Sequence, residues 1–359
     1  MTIASRVALP ARPRILVIAM QRLGDVLLAT PLIRSLRMAW PDATIEALVF
    51  ADTAGILDGN PDLNGVVTLP ARPDRMAALA LLARLWRRYD LAISTQTGDR
   101  PTLFAVMAGR VRVGPVQTTI NGRFKRRWLD RSVRSTKGMH RVEEMLRLAD
   151  ALGIARAPQL VCPRARPFDG VPAGAYAVIH AAPMFRYKQW TATGWRAVAD
   201  MLAARGLSVI ATGGPAADER RYLDQVWGDA KVTRFDGRLD WPQLAGLLTK
   251  ARVYVGPDTS VTHLAAAAGC PTVALYGPTD PRLWGPWPAD GLDAVWQANG
   301  KTQRRGNVWL VQHAFPCTPC QLEGCERRLD SSSACLDELA VRHVMAAVED
   351  ALGSVPLSG

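Results

Sequence analysis

Residues 255–281 read VGPDTSVTHLAAAAGCPTVALYGPTDP. The apolar run Ala251–Val255 predicts a buried parallel strand, and Gly256-Pro257-Asp258-Thr259-Ser260 stops it and caps a helix that passes His263 and ends near Ala268. Thr272–Tyr276 predicts a second strand, closed by the turn Gly277-Pro278-Thr279-Asp280-Pro281. Two strand-to-turn transitions this close together put two polar loops on one carboxyl edge of a parallel sheet, where open α/β folds bind ligands. The first loop also presents the unpaired N–H groups of a helix N-terminus, which favour a phosphate. The stretch therefore reads as a nucleotide-diphosphate site. The competing reading makes Asp258, Thr259 and Ser260 a plain helix cap and His263 a structural residue.

Outward from this stretch, strands and helices alternate. Ile15–Met20 predicts a strand, followed by the turn Gln21-Arg22-Leu23-Gly24-Asp25 and by helical periodicity from Val26 to Met38, in which Pro31 should end a first segment or kink the helix. Further strands are expected at Ile45–Phe50, Val66–Leu69, Leu91–Thr95 and Val111–Gly114, with helices at Met76–Trp86 and Met139–Leu152. The pattern repeats with Tyr176–His180, a helix from Thr193 to Arg205, Leu207–Thr212 and a helix from Trp241 to Ala251. The expected fold class is α/β, with two doubly wound parallel-sheet domains. Residues 14–154 form the first, 155–174 a linker rich in Pro, Ala and Arg, and 175–335 the second. Residues 1–13 read as a flexible tail, and 336–359 as a helix, packing back across the domains, with a short tail. Loops 181–188, 213–219, 256–263 and 277–281 then share the second domain's carboxyl edge.

Length and composition narrow the functions. The 359 residues suffice for two domains, and 44 Lys and Arg against 32 Asp and Glu give a net charge of +12, which suits an anionic partner. No apolar run is long enough to cross a membrane, and residues 1–13 lack the apolar core of a signal peptide, so a cytoplasmic location is expected. No G-x-G-x-x-G follows the first strand, so the nicotinamide fingerprint is absent there. Residues 121–138 hold seven Lys or Arg, one acid, Phe124 and Trp128, a mixture that suits a solvated loop, a nucleic acid or an anionic saccharide-lipid at a membrane surface. No nucleic-acid motif accompanies it.

Three segments resemble glycosyltransferase family 9, the heptosyltransferases of lipopolysaccharide core synthesis. They are D-T-S-V-T-H-L-A-A-A followed by G-P-T-D-P, the early R-L-G-D-V-L-L-A-T-P-L-I-R-S-L-R, and H-A-x-x with K-x-W around His180, Lys188 and Trp190. The resemblance spans roughly residues 14 to 350 and implies the GT-B fold, with the two domains facing a cleft. It makes Asp25 the general base, a role that competes with a helix-start aspartate favoured by the dipole. It gives Lys188 to the donor diphosphate, against the alternative of a surface lysine, with Arg186 a second candidate. An acid near the nucleotide falls on Asp218 or Glu219, beside Gly213 and Gly214, and Asp258, Thr259, Ser260 and His263 complete the donor site. Acceptor candidates are Arg22, Gly24, Thr97, Arg123, Lys125, Arg126 and Arg127.

The implied reaction is inverting transfer of heptose from ADP-heptose to a lipid A-linked saccharide, with no catalytic metal and with peripheral contact at the cytoplasmic face of the inner membrane. Another donor or acceptor, a sugar-nucleotide epimerase or hydrolase, and a non-catalytic binding protein built on residues 121–138 are the alternatives. Near the C-terminus, Cys317, Cys320, Cys325 and Cys335 follow C-x2-C-x4-C-x9-C. Four thiolates can hold a structural zinc, or iron, in a closed tetrahedral site, and four reduced thiols are the alternative.

Overall fold

The structure, a computed structural model, describes residues 5–136 and 138–354. Residues 1–4 of the expected tail, Lys137 of the basic segment and residues 355–359 lie outside the described residues. The chain divides into two compact units, Met1–Pro163 and Arg164–Gly359, a division that falls within the segment read as the linker.

In the first unit β1 (Arg14–Ile18) leads to α1 (Leu23–Leu28), α2 (Thr30–Ala39), β2 (Thr44–Phe50), β3 (Gly65–Leu69) and α3 (Arg75–Leu85). Then follow β4 (Tyr89–Ser94), α4 (Asp99–Ala108), β5 (Gly109–Val116), α5 (Ile120–Arg126), β6 (Arg131–Arg134) and α6 (Arg141–Leu152). The strands pair in parallel in the order β3-β2-β1-β4-β5-β6. That order reverses direction at β1, so the loop after β1 opens at the topological switch point. Ile15 to Ile18 are fully buried, as expected for a central parallel strand covered on both faces. Pro31 does separate two helices: α1 ends at Leu28, and Pro31 sits in the first turn of α2, where its missing N–H would have had no partner.

The segment expected to be a flexible tail packs against this unit from residue 5 onward. Val7 is buried and donates its N–H to the Leu152 carbonyl, and the Arg6 guanidinium lies 4.8 Å from the Trp40 ring centroid. The first half of the expected linker also packs here. Ala157 and Val161 are buried, and their N–H groups donate to the hydroxyls of Ser35 and Thr30.

The second unit contains β7 (Tyr176–His180), α7 (Ala192–Ala204), β8 (Ser208–Thr212), α8 (Ala217–Trp227), β9 (Thr233–Arg234), α9 (Trp241–Lys250) and β10 (Val253–Pro257). It continues with α10 (Ser260–Ala267), β11 (Thr272–Tyr276), α11 (Pro281–Trp284), β12 (Thr302–Arg305), β13 (Val308–Gln312), α12 (Ala334–Asp337) and α13 (Val341–Gly353). The sheet order is β12-β13-β11-β10-β7-β8-β9, parallel except for the β12–β13 hairpin. The hairpin turns at Gly306, whose φ of +51° lies in the left-handed region that glycine tolerates. Its second strand is wholly buried and carries Trp309, whose indole N–H donates to Asp350 Oδ2 at 2.5 Å and ties α13 to the sheet. α13 packs on β10, β11, β13 and α7, a surface provided by the second unit's own core. The helix expected over Leu336–Leu352 is two pieces, α12 and α13, broken at Glu338.

Candidate active site

In the second unit, β10 runs two residues beyond the strand expected from the apolar pattern and ends at Pro257. Asp258 is thereby delivered to the carboxyl edge, and Thr259 becomes the N-cap of α10, its hydroxyl accepting from the Thr262 N–H. Thr262 in turn donates to the Pro257 carbonyl and meets the Tyr254 hydroxyl at 2.9 Å, which fixes the loop from inside the core.

Asp258 is the centre of a buried cluster. Its Oδ2 accepts from Lys188 Nζ at 2.5 Å and from the Thr279 hydroxyl at 2.7 Å. Lys188 sits in the tight turn Arg186–Lys188, held by Ser333, whose hydroxyl donates to the Tyr187 carbonyl, and by Trp190, whose indole N–H donates to Leu339 O. Burial works against ionisation of Asp258, yet Lys188, His263 and the Thr279 hydroxyl hold its carboxyl below the usual range. His263 is buried, its Nδ1 lacks a hydrogen-bond partner, and burial lowers its pKa to about 4. It is therefore neutral near pH 7. His180, at the end of β7, is likewise lowered to about 4 by burial and has Nδ1 3.0 Å from the Thr212 hydroxyl.

The structure thus gathers Lys188, Asp258, Thr259, Ser260 and His263 on one sheet edge, with Thr279 as an added member. Gly213 and Gly214 follow β8 on the same edge, and Glu219 turns back so that Oε1 accepts the Gly214 N–H at 2.6 Å. Asp218 is exposed in the first turn of α8 and makes no such contact. Of the two acids, Glu219 is the one tied to the loop, and burial raises its pKa.

In the first unit, Asp25 lies in the first turn of α1, just past the switch-point loop. Its side chain and that of Arg141 are 14% and 10% exposed, and Arg141 Nε stands 3.5 Å from Asp25 Oδ1. Arg141 reaches this position from the start of α6. Its Nη2 donates to Gln21 Oε1 at 2.8 Å and to Thr95 O at 2.9 Å, and its Nη1 to Glu144 Oε2 at 3.0 Å. Burial raises the pKa of Asp25, while Arg141 and then Arg22 pull it down. Asp25 Oδ1 itself is buried with no hydrogen-bond partner, so a lone pair is left to accept a proton.

Arg22 is the exposed N-cap of α1, with Gly24 in the same first turn. Lys125 Nζ donates to Thr97 O and to Asp99 Oδ1, both at 2.6 Å, which joins α5 to the loop after β4. Arg123, Arg126 and Arg127 are exposed on and just after α5.

Arg141 was not distinguishable in the sequence, because its partners are 116 residues away at Asp25 and 120 away at Gln21. Replacing it by Gln should move the acid limb of the pH–rate profile to higher pH. The sign follows from charge: without the cation, burial raises the Asp25 pKa further, and its carboxyl is protonated over more of the range. Activity measured against pH, with Arg141→Lys as the conservative control, reads this; an unmoved acid limb would remove Arg141 from the site.

The four clustered cysteines are free thiols. Cys317 and Cys325 are exposed, whereas the buried Cys335 Sγ lies close against Gly277. Among the described residues no three His, Cys, Asp or Glu side chains are arranged to hold a metal ion. Cys317, Cys320 and Cys325 nonetheless lie near enough to Cys335 to help raise its pKa, after burial, so the four thiols of the expected metal site share one neighbourhood.

Residues 78–308 match the family model described as glycosyltransferase family 9 (heptosyltransferase). The chain is 30% identical to lipopolysaccharide heptosyltransferase 3 of Escherichia coli over 74% of its own length and 83% of that protein. It is 28% identical to lipopolysaccharide heptosyltransferase 1 of Pseudomonas aeruginosa, with 87% of each covered. Among solved structures it is similar in fold to the E. coli heptosyltransferase WaaC with ADP, at TM-score 0.71 and 22% identity, covering 94% of this chain and 99% of that one. It is also similar in fold to the E. coli ADP-heptose heptosyltransferase II, at TM-score 0.71 and 18% identity, covering 94% and 98%.

Proposed function

Because the chain belongs to glycosyltransferase family 9 and is a glycosyltransferase of the GT-B fold, we propose that it transfers a heptose from ADP-heptose to the lipid A-linked inner core of lipopolysaccharide, with inversion. The observation that carries this reading is the placement of the Lys188 ammonium, paired with Asp258, on the same sheet edge as the N-terminus of α10, which Thr259 caps immediately after Asp258. A cation and the backbone N–H groups of a helix N-terminus on one sheet edge suit a diphosphate. ADP bound to WaaC, a relative by fold, supports the choice of nucleotide.

In the proposed reaction the acceptor hydroxyl gives its proton to Asp25 as its oxygen bonds to the anomeric carbon. The bond from that carbon to the diphosphate oxygen breaks in the same step, and ADP departs with the electron pair. One displacement inverts the anomeric centre. Negative charge grows on the departing diphosphate, where Lys188 and the N-terminus of α10 stabilise it. These groups supply the positive charge, so the reading routes no step through a metal. Glu219, Gly213 and Gly214 are assigned to the nucleoside, and Arg123, Lys125, Arg126 and Arg127 to anionic groups of the acceptor.

Among the described residues no helix is long and apolar enough to cross a membrane. The proposal places the protein at the cytoplasmic face of the inner membrane by surface contact, where a lipid-linked acceptor resides.

ADP release from ADP-heptose by the purified protein, with and without a core oligosaccharide, tests the whole reading. Release should require the acceptor. Release that proceeds equally without it would indicate a hydrolase, and no release together with no donor binding in calorimetry would sink the ADP-heptose assignment.

A further inference from the structure

We propose that the outward face of α3 is a docking surface for an anionic lipid bilayer. The inference deepens the proposed function and rests on it in one respect, since a lipid-linked acceptor lies on such a surface. At about 100° per residue, Met76, Leu79, Ala80 and Ala83 form one stripe along α3. All four are exposed, Met76 at 75% and Leu79 at 59%, and Trp86 at the C-cap continues the stripe at 56%. The opposite face carries Leu81 and Leu85, packed in the core with Phe104 of α4. The helix is therefore apolar on both faces while only one is covered, an arrangement that in a monomer in water leaves apolar surface without a partner.

The rim of the stripe identifies the partner. Arg75 and Arg84 fall on its two flanks, Arg72 precedes the helix, and Arg87 and Arg88 follow it, all exposed. Among the described residues none of these five forms an ion pair. The single acid of residues 70–88, Asp74, is used as the N-cap, its carboxylate accepting the Ala77 N–H at 2.6 Å. An apolar stripe bordered by unpaired arginines and ended by a tryptophan matches the interface between acyl chains and anionic headgroups. A second copy of the chain fits poorly, because a two-fold dimer through this face would set arginines against arginines.

The test is co-sedimentation of the full-length protein with phosphatidylcholine vesicles, with and without phosphatidylglycerol, at low and high salt. The variants are Leu79→Ser/Trp86→Ser for the stripe and Arg75→Ser/Arg84→Ser for the rim, with circular dichroism to show that both fold. Binding should require phosphatidylglycerol, weaken with salt, weaken about fivefold per arginine removed, and be lost in the stripe variant. Both variants should still release ADP with a lipid-free oligosaccharide acceptor. Equal binding to pure phosphatidylcholine, or unchanged binding by both variants, overturns the proposal. So does self-association in light scattering that the stripe variant abolishes, without vesicle binding. Vesicle binding by α3 in a protein that shows no ADP release would uphold the surface and reject the proposed function, so the two failures are distinct.

Discussion

Asp25→Asn should lower kcat by about 10²–10⁴-fold with donor affinity unchanged, the range for loss of a positioned general base. Asparagine keeps the shape of the side chain and its place in the first turn of α1, but its amide cannot accept the acceptor proton. Burial raises the Asp25 pKa, which favours proton acceptance, Arg141 at 3.5 Å opposes that rise, and Oδ1 is left without a hydrogen-bond donor. A mere helix-start aspartate would give a different result, because its loss costs only about 0.3–1 kcal/mol of stability through the dipole and leaves turnover intact. Single-turnover measurement of ADP release, with donor binding by calorimetry, separates the two. A rate within tenfold of the unmodified protein's would return Asp25 to the capping role.

Lys188→Met should have two effects at once, for one reason. Lys188 is the cation paired with Asp258, which is buried and ionised, so its removal strands a charge in the core at a cost of about 3–5 kcal/mol. It also removes the cation assigned to the departing diphosphate, for which a loss of about 10²–10³-fold in kcat is the usual scale for one electrostatic donor. The double variant Lys188→Met/Asp258→Asn distinguishes the two. It should recover most of the thermal stability, since no unpaired charge is left buried, while activity stays low. Recovery of activity along with stability would show that Lys188 serves the fold and not the donor.

Much of this site was legible in the sequence because its parts are local. Asp258, Thr259, Ser260 and His263 lie within one strand-to-helix turn, where loop chemistry and capping preference can be read directly. Lys188 was reachable through the K-x-W segment, but its pairing with Asp258, 70 residues on, was not. Arg141 gave no signal, since an arginine beginning a helix is common and only the packing of α6 brings it to Asp25. The choice between Asp218 and Glu219 also waited on geometry. Adjacent acids in one helical turn look alike in sequence, and only the return of Glu219 to the Gly214 N–H separates them.

The sequence by itself determined the fold class and the alternation of strands and helices that puts loops 181–188, 213–219, 256–263 and 277–281 after parallel strands. Apolar runs with a period of two or none, alternating with runs of period near 3.6, commit the backbone to parallel strands and covering helices wherever they occur. It did not determine the β12–β13 end of the second sheet, because β13 pairs with β11 across a gap of more than twenty residues and the hairpin lacks a distinctive pattern of its own. Nor did it determine which side chains are charged, neutral or paired. The raised pKa of Asp25, the neutral His263, the Lys188–Asp258 pair and the outward-facing Cys317 and Cys325 all depend on burial and on neighbours distant in the chain. Desolvation and Coulomb interaction act through space, and only the tertiary structure brings those groups within reach of one another.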